Sequence, residues 1–121
     1  MLKSKILFVD DNELNRMVME EMMKIIFPEI EMIFCEDATE VLGLSLDSFI
    51  IILSDINMPK IDGFTLYEKL REEKKYTNPI IAVTALAVSG DKERILMHGF
   101  NDFISKPIDM NELQIMLEKY I

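Results

Sequence analysis

The chain has 121 residues, half of them apolar and 29% charged, a balance suited to one self-sufficient soluble domain. Asp and Glu number 22 against 13 Lys and Arg, a net charge of −9 that argues against sequence-independent binding to nucleic acid but not against a basic protein partner. Cys35 is the only cysteine, which excludes an internal disulfide and fits a reducing, cytoplasmic setting, and no apolar run approaches the ~20 residues of a membrane helix.

The N-terminal apolar stretch is too short for a signal peptide and meets acid at once. Its residues Ile6-Leu7-Phe8-Val9 predict a first strand over 5–10. Asn12 or Asp11 can cap a helix over 13–26, which Phe27-Pro28 stops. A second strand is expected at 30–35, a short helix at 38–46 and a third strand at 49–54. Pro59 and Gly63 punctuate the loop that follows, with Asp62 placed to cap the next helix, 64–74. A fourth strand falls at 80–84, a helix at 89–98 ending on Gly99, a short strand at 102–105 and a last helix at 109–120. Alternating strands and helices predict a parallel sheet covered on both faces. Cys35 reads as a small buried hydrophobe on the second strand, and His98 as a cation suited to a helix C-terminus.

Four strand ends carry chemistry. Ligands of an open parallel sheet bind beyond the carboxyl ends of its strands. Asp10 and Asp11 close the first strand, Asp55 the third and Thr84 the fourth, and Lys106 follows the fifth. Read singly, each has an ordinary role: helix cap and solvated charge for Asp10-Asp11, β-branched strand residue for Thr84, surface charge for Lys106. Together they bring three carboxylates, a hydroxyl and an ammonium to one edge. Crowded carboxylates repel unless a cation cancels their charge, and Mg²⁺ prefers one or two carboxylates plus phosphate oxygens. Asp55, after Ile50-Ile51-Ile52-Leu53-Ser54, is a candidate nucleophile toward phosphorus. Thr84 could donate to a phosphoryl oxygen, and Lys106 could bind it as a point charge. The Lys106-Pro107 bond is a candidate cis peptide.

These residues resemble the receiver domain of two-component response regulators, the CheY-like group. VDDN at 9–12, SDINMPKIDG at 54–63, VTALA at 83–87 and FISKPID at 103–109 carry the resemblance. It covers the whole chain as one receiver domain, 1–121. It implies a flavodoxin-like, doubly wound (βα)5 fold with a five-stranded parallel sheet of order 2-1-3-4-5. It implies Asp55 as phosphoacceptor, with Mg²⁺ (or Mn²⁺) held directly by Asp11, largely through water by Asp10, and by Asp55 and the main-chain carbonyl of Asn57. Thr84 and Phe103 are then switch residues that move the α4-β5-α5 surface, and Lys106 holds the phosphoryl group. The implied donor is a phosphohistidine on a histidine kinase or phosphotransfer protein. The implied output is another protein, with the chain monomeric or weakly dimeric when phosphorylated, without direct contact to nucleic acid or membrane. Such a chain catalyses its own phosphorylation but is not a conventional enzyme. Two residues set it apart: Phe103 lacks a hydroxyl, and Leu86, two after Thr84, is apolar. DDNELNR also resembles receivers attached to hybrid sensor kinases, and the chain suits a stand-alone protein or an excised domain equally.

Other readings compete. A flavin-binding domain would carry a Gly- or Ser/Thr-rich phosphate loop where this chain has DDNELN. An aspartyl-phosphate phosphatase would carry an acid at position 12, which is Asn. A degenerate receiver serving only as an interaction module would lack part of the Asp, Thr and Lys set. The first helix carries two apolar stripes. Leu14, Met17 or Val18, Glu21 or Met22, and Ile25 are expected to face the sheet, leaving Met19 and Met23 on a second stripe, either as a soft docking patch for the phosphodonor or as ordinary core packing.

Overall fold

The computed structural model describes residues 4–85 and 89–121. Five strands and five helices alternate: β1 (Lys5–Val9), α1 (Glu13–Ile26), β2 (Glu31–Cys35), α2 (Ala38–Leu42), β3 (Phe49–Asp55), α3 (Gly63–Glu72), β4 (Ile80–Thr84), α4 (Ser89–His98), β5 (Asp102–Ser105) and α5 (Met110–Glu118). The strands form one parallel sheet in the order β2-β1-β3-β4-β5, the expected doubly wound arrangement. β1 and β3 meet at the centre, where the strand order reverses, so Val9 pairs with Ser54 one step before the acids Asp10 and Asp55.

The consecutive apolar residues of each strand serve two cores by turns, as the two-residue period requires. Ile6 and Phe8 of β1, Ile51 and Leu53 of β3, and Ile81 and Val83 of β4 pack with Met19 and Met23 of α1 and Leu113, Met116 and Leu117 of α5. Leu7, Val9, Ile52, Ile80 and Ala82 pack on the other face with Val41 of α2, Leu66 and Leu70 of α3, and Ile95 of α4. Two rows therefore bury nearly every side chain of the three inner strands β1, β3 and β4, at roughly 1.5–3 kcal/mol for each large apolar group, while β2 and β5 at the edges are mostly half-buried.

The helix starts share one device. The side chains of Asn12, Asp37, Asp62 and Asp109 accept hydrogen bonds from the main-chain N–H groups of Asn15, Glu40, Thr65 and Glu112. Each such cap contributes about 1 kcal/mol. Gly99, with φ of 125°, ends α4 in a conformation that side chains avoid. α2 is shorter than the sequence predicts: Gly43 closes it, its N–H bonding the carbonyls of Thr39 and Glu40, and Leu44 and Leu46 fill the core from a loop instead.

The two stripes of α1 are exchanged relative to expectation. Met19 and Met23 are 0% and 1% exposed and belong to the core, whereas Leu14, Met17 and Ile25 are 65%, 57% and 67% exposed. The reason lies at the top of the helix. Asn15 and Arg16 turn inward to bind Asp10, and Met19 and Met23 fall below them on the same face. Val18 and Glu21 also face solvent, and Met22 is half-buried. Leu14, Met17, Val18, Met22 and Ile25, with Glu21, line an open apolar groove.

Candidate functional site

Asp10 follows β1 and is fully buried. Its N–H still bonds the Cys35 carbonyl at 3.1 Å, so the sheet holds its backbone. Its carboxylate is cradled by α1: the Asn12 N–H donates to Oδ1 at 2.9 Å and Asn15 Nδ2 to Oδ2 at 3.2 Å. Arg16 Nη1 donates to the Asp10 carbonyl at 2.7 Å, while its Nη2 lies 3.5 Å from Glu36 Oε1. The next residue, Asp11, is exposed.

Asp55 ends β3 and is 3% exposed. The Ile56 N–H bonds the Val83 carbonyl and the Gly63 N–H bonds the Ile56 carbonyl, so the segment after Asp55 is pinned by β4 and by the start of α3. Ser54 Oγ donates to the Asp55 carbonyl, and the Asn57 N–H donates to Asp55 Oδ1 at 3.3 Å. Gly63 is needed at its position: an added Cβ would lie 2.5 Å from the Asp55 carbonyl oxygen and 2.7 Å from Ile56 Cα.

Lys106 joins the two acids. Its N–H bonds the Thr84 carbonyl at 2.8 Å, and the Lys106-Pro107 bond is cis, as expected. Its ammonium reaches Asp10 Oδ2 at 3.1 Å and Asp55 Oδ2 at 3.2 Å. Asp10, Asp11 and Asp55 each offer an oxygen, and these oxygens all lie within 4.8 Å of one another. Three carboxylates thus face one ammonium. Burial, then the negative Asp10, push the Asp55 carboxyl above its ordinary value of 3.8, and Lys106 offsets only part of this. Burial opposes the charge on Lys106 too, but Asp55 and Asp10 together outweigh it and raise its pKa above 10.5. The ammonium is satisfied and the Asp55 carboxylate remains under-compensated. That imbalance fits a divalent cation with hard oxygen ligands.

Thr84 ends β4, paired with Ser105, and is 1% exposed, within the same strand-end edge. Phe103 is half-buried and packs against the core on the α2-α3-α4 face, with Lys92 Nζ 5.5 Å from its ring centroid. Leu86, and with it the end of the VTALA motif, lies outside the described residues. Cys35 is a buried free thiol whose pKa burial raises to about 11, an inert core residue. His98 ends α4 with Nε2 3.4 Å from Glu68 Oε1 and its ring against Phe64 and Tyr67. Asn15 and Arg16 are parts of the site that motif reading passed over. The available signal was their place one and two helical turns above Met19 and Met23, on the inward stripe.

The sequence matches the response regulator receiver domain family over residues 6–118. It is 36% identical over 125 aligned residues to hybrid signal transduction histidine kinase L of Dictyostelium discoideum, which covers 98% of this chain and only 7% of that protein. Among solved structures it is 31% identical to the receiver domain of sensor histidine kinase PA1611 of Pseudomonas aeruginosa PAO1, with 98% of each chain covered and a TM-score of 0.81. A magnesium ion is coordinated in the active-site cleft of that protein. Chemotaxis protein CheY4 of Vibrio cholerae shares the fold, with a TM-score of 0.85 at 24% identity over 99% of this chain and 100% of that one. The chain belongs to the response regulator receiver domain family, the phosphoryl-accepting signalling modules of two-component and phosphorelay systems.

Proposed function

We propose that Asp55 accepts a phosphoryl group from a phosphohistidine with the aid of Mg²⁺, and that residues 1–121 act as one receiver domain. The juxtaposition of Asp55 Oδ2 with the Lys106 ammonium, beside three carboxylate oxygens within 4.8 Å, carries this reading. Asp10, Asp11, Asp55 and the main-chain carbonyl of Asn57 are the residues that would hold the cation, with Mn²⁺ as a substitute. When bound, the cation neutralises charge on the transferred oxygens.

The chain's own groups supply the rest. An Asp55 carboxylate oxygen attacks phosphorus, a P–O bond forms, and the P–N bond to the donor histidine breaks, its electron pair returning to that nitrogen as a donor ring protonated on its other nitrogen leaves as neutral imidazole. Lys106 exchanges part of its contact with Asp55 for a phosphoryl oxygen. The Thr84 hydroxyl donates to another, and Phe103 follows it inward by packing alone, since its ring has no polar tip. This rearranges the face formed by α4, β5 and α5, which passes the signal to a further protein.

The donor is a histidine kinase or histidine phosphotransfer protein. Relatives that are hybrid histidine kinases, and an apolar α1 groove beginning at Leu14 beside Asn15, Lys106 and Pro107, support that partner. A histidine-kinase or phosphotransfer donor and the single reduced Cys35 support a cytoplasmic place for the chain; among the described residues no helix is long and apolar enough to cross a membrane.

The test is intact mass after incubation with acetyl phosphate. A single phosphoryl adduct that needs Mg²⁺, disappears with EDTA and is absent from Asp55→Asn is the expected result. No adduct, together with no binding of beryllofluoride, would leave only an interaction module.

A further inference from the structure

β2 is an edge strand, paired with β1 on one side only. The Glu31 N–H bonds the Ser4 carbonyl and the Cys35 carbonyl accepts from the Asp10 N–H, so the odd-numbered residues of β2 turn their main-chain groups toward β1. The alternate residues, Met32 and Phe34, turn theirs to the open edge. The side chains of the same two residues are half-buried and lie on the core that α1 covers. Between them and α1 runs a cleft of about 270 Å³, with Met23, Pro28 and Ile30 as its other apolar walls and the exposed Glu20 and Lys24 completing it. A second hollow shares Glu20 and Phe34 with the first and adds Glu13, Arg16 and Met17. The carboxylates of Glu13, Glu20, Glu29, Glu31 and Glu36 flank this strip. Its cations are already committed: Lys5 to Glu31 at 4.0 Å, Arg16 to Glu36 at 3.5 Å and Lys24 to Glu20 at 3.3 Å.

We infer that this strip takes an extended, cationic segment of a partner protein, added to the sheet as a strand beyond β2, with its alternate apolar side chains in the cleft. The open main-chain groups of Met32 and Phe34 supply hydrogen bonds, the cleft selects an apolar group at every second position, and the surplus carboxylates select Lys or Arg between. A second copy of this chain is disfavoured, because pairing two β2 edges would set Glu29, Glu31 and Glu36 of one copy against the same acids of the other. The proposed donor groove opens from α1 toward Lys106 and Pro107, whereas this cleft opens toward β2. The inference uses none of Asp10, Asp11 and Asp55 and stands apart from the phosphoacceptor reading.

The test titrates the full chain with a short amidated peptide of alternating lysine and valine, followed by amide NMR and hydrogen exchange. The control peptide has the same composition with its lysines in one block. The alternating peptide should bind about tenfold tighter than the control, slow exchange of the Met32 and Phe34 amides, and weaken in concentrated salt. Met32→Lys, which sets an ammonium in the cleft, should weaken it about tenfold and leave labelling by acetyl phosphate unchanged. Glu20→Lys, on the exposed rim, should weaken it about threefold without loss of stability, which keeps the proposal testable if Met32→Lys fails to fold. Equal binding of the two peptides, shifts centred on Leu14 and Ile25, or unprotected Met32 and Phe34 amides would overturn the proposal. So would protection of those amides that rises with the concentration of the chain alone, the mark of a second copy on this edge.

Discussion

Replacing Gly63 by Ala inserts a single methyl group between α3 and the carbonyl of Asp55. The added Cβ would lie 2.5 Å from that oxygen and 2.7 Å from Ile56 Cα, both backbone atoms. Comfortable carbon contacts lie at about 3.5–4.0 Å, so roughly 1 Å of movement is needed. Neither side yields freely, because Ile56 is bonded to Val83 and Gly63 to Ile56. Overpacking of this kind costs about 1–3 kcal/mol, and the better helix propensity of Ala returns up to about 1 kcal/mol. The expected net loss is about 1–2 kcal/mol in urea denaturation. Asp62→Ala is the control: it removes the cap on the same helix, accepted from the Thr65 N–H at 2.9 Å, for about 1 kcal/mol without crowding Asp55. Of these two variants of similar stability, only Gly63→Ala should label slowly with acetyl phosphate, because only it displaces the acceptor. Unchanged stability and labelling in Gly63→Ala, or equal slowing in both, would refute the argument.

Met23→Ala should cost about 2–4 kcal/mol in urea denaturation, while Ile25→Ala should stay within about 0.5 kcal/mol, which separates the buried stripe of α1 from the exposed one. Met17→Lys combined with Ile25→Lys should slow phosphotransfer from a histidine phosphotransfer protein and spare labelling by acetyl phosphate; equal slowing with both donors would remove the docking role. Asp55 has a raised pKa in the fold, so its contribution to stability is fully present below pH 3.8 and is lost as pH rises through the folded value. Metal-free Asp55→Asn should therefore melt higher than the unmodified chain at pH 7, and the gain should vanish below about pH 3.8. Mg²⁺ at a hundredfold excess over its dissociation constant should stabilise the chain by about 2.7 kcal/mol, and Asp11→Ala should lose most of that in thermal melts.

β1, β3 and β4 were legible because each holds a continuous apolar run that stops at or just before a polar residue, and the acids following β1 and closing β3 announced the site. The first helix was misread for a physical reason. It is apolar on both sides, so spacing alone cannot say which side faces the sheet. The inward stripe begins with the polar Asn15 and Arg16, which a rule of burying apolar groups discards, and the outward stripe begins with Leu14. The rule fails where a helix serves the site with one face and, under the proposed reading, a partner with the other. The shorter α2 was a missed stop at Gly43. The sharing of Lys106 between Asp10 and Asp55 was beyond sequence reading, because it depends on distances across three strands.

The bare groove on α1 poses a colloidal problem as well as a docking opportunity. Five apolar side chains stand beside solvent in one strip, and every copy of the chain carries the same strip. Every copy also carries nine excess negative charges; on this helix Glu13, Glu20 and Glu21 are exposed, the last two sharing the ammonium of Lys24. At physiological ionic strength such charges are felt over a Debye length of about 8 Å, farther than dispersion contacts reach. Under the proposed docking role, that excess charge opposes the approach of like copies and favours a partner of opposite sign. Discrimination between self and partner at this surface begins in the surrounding electrolyte, and concentrated salt weakens it without altering a single atom of the groove.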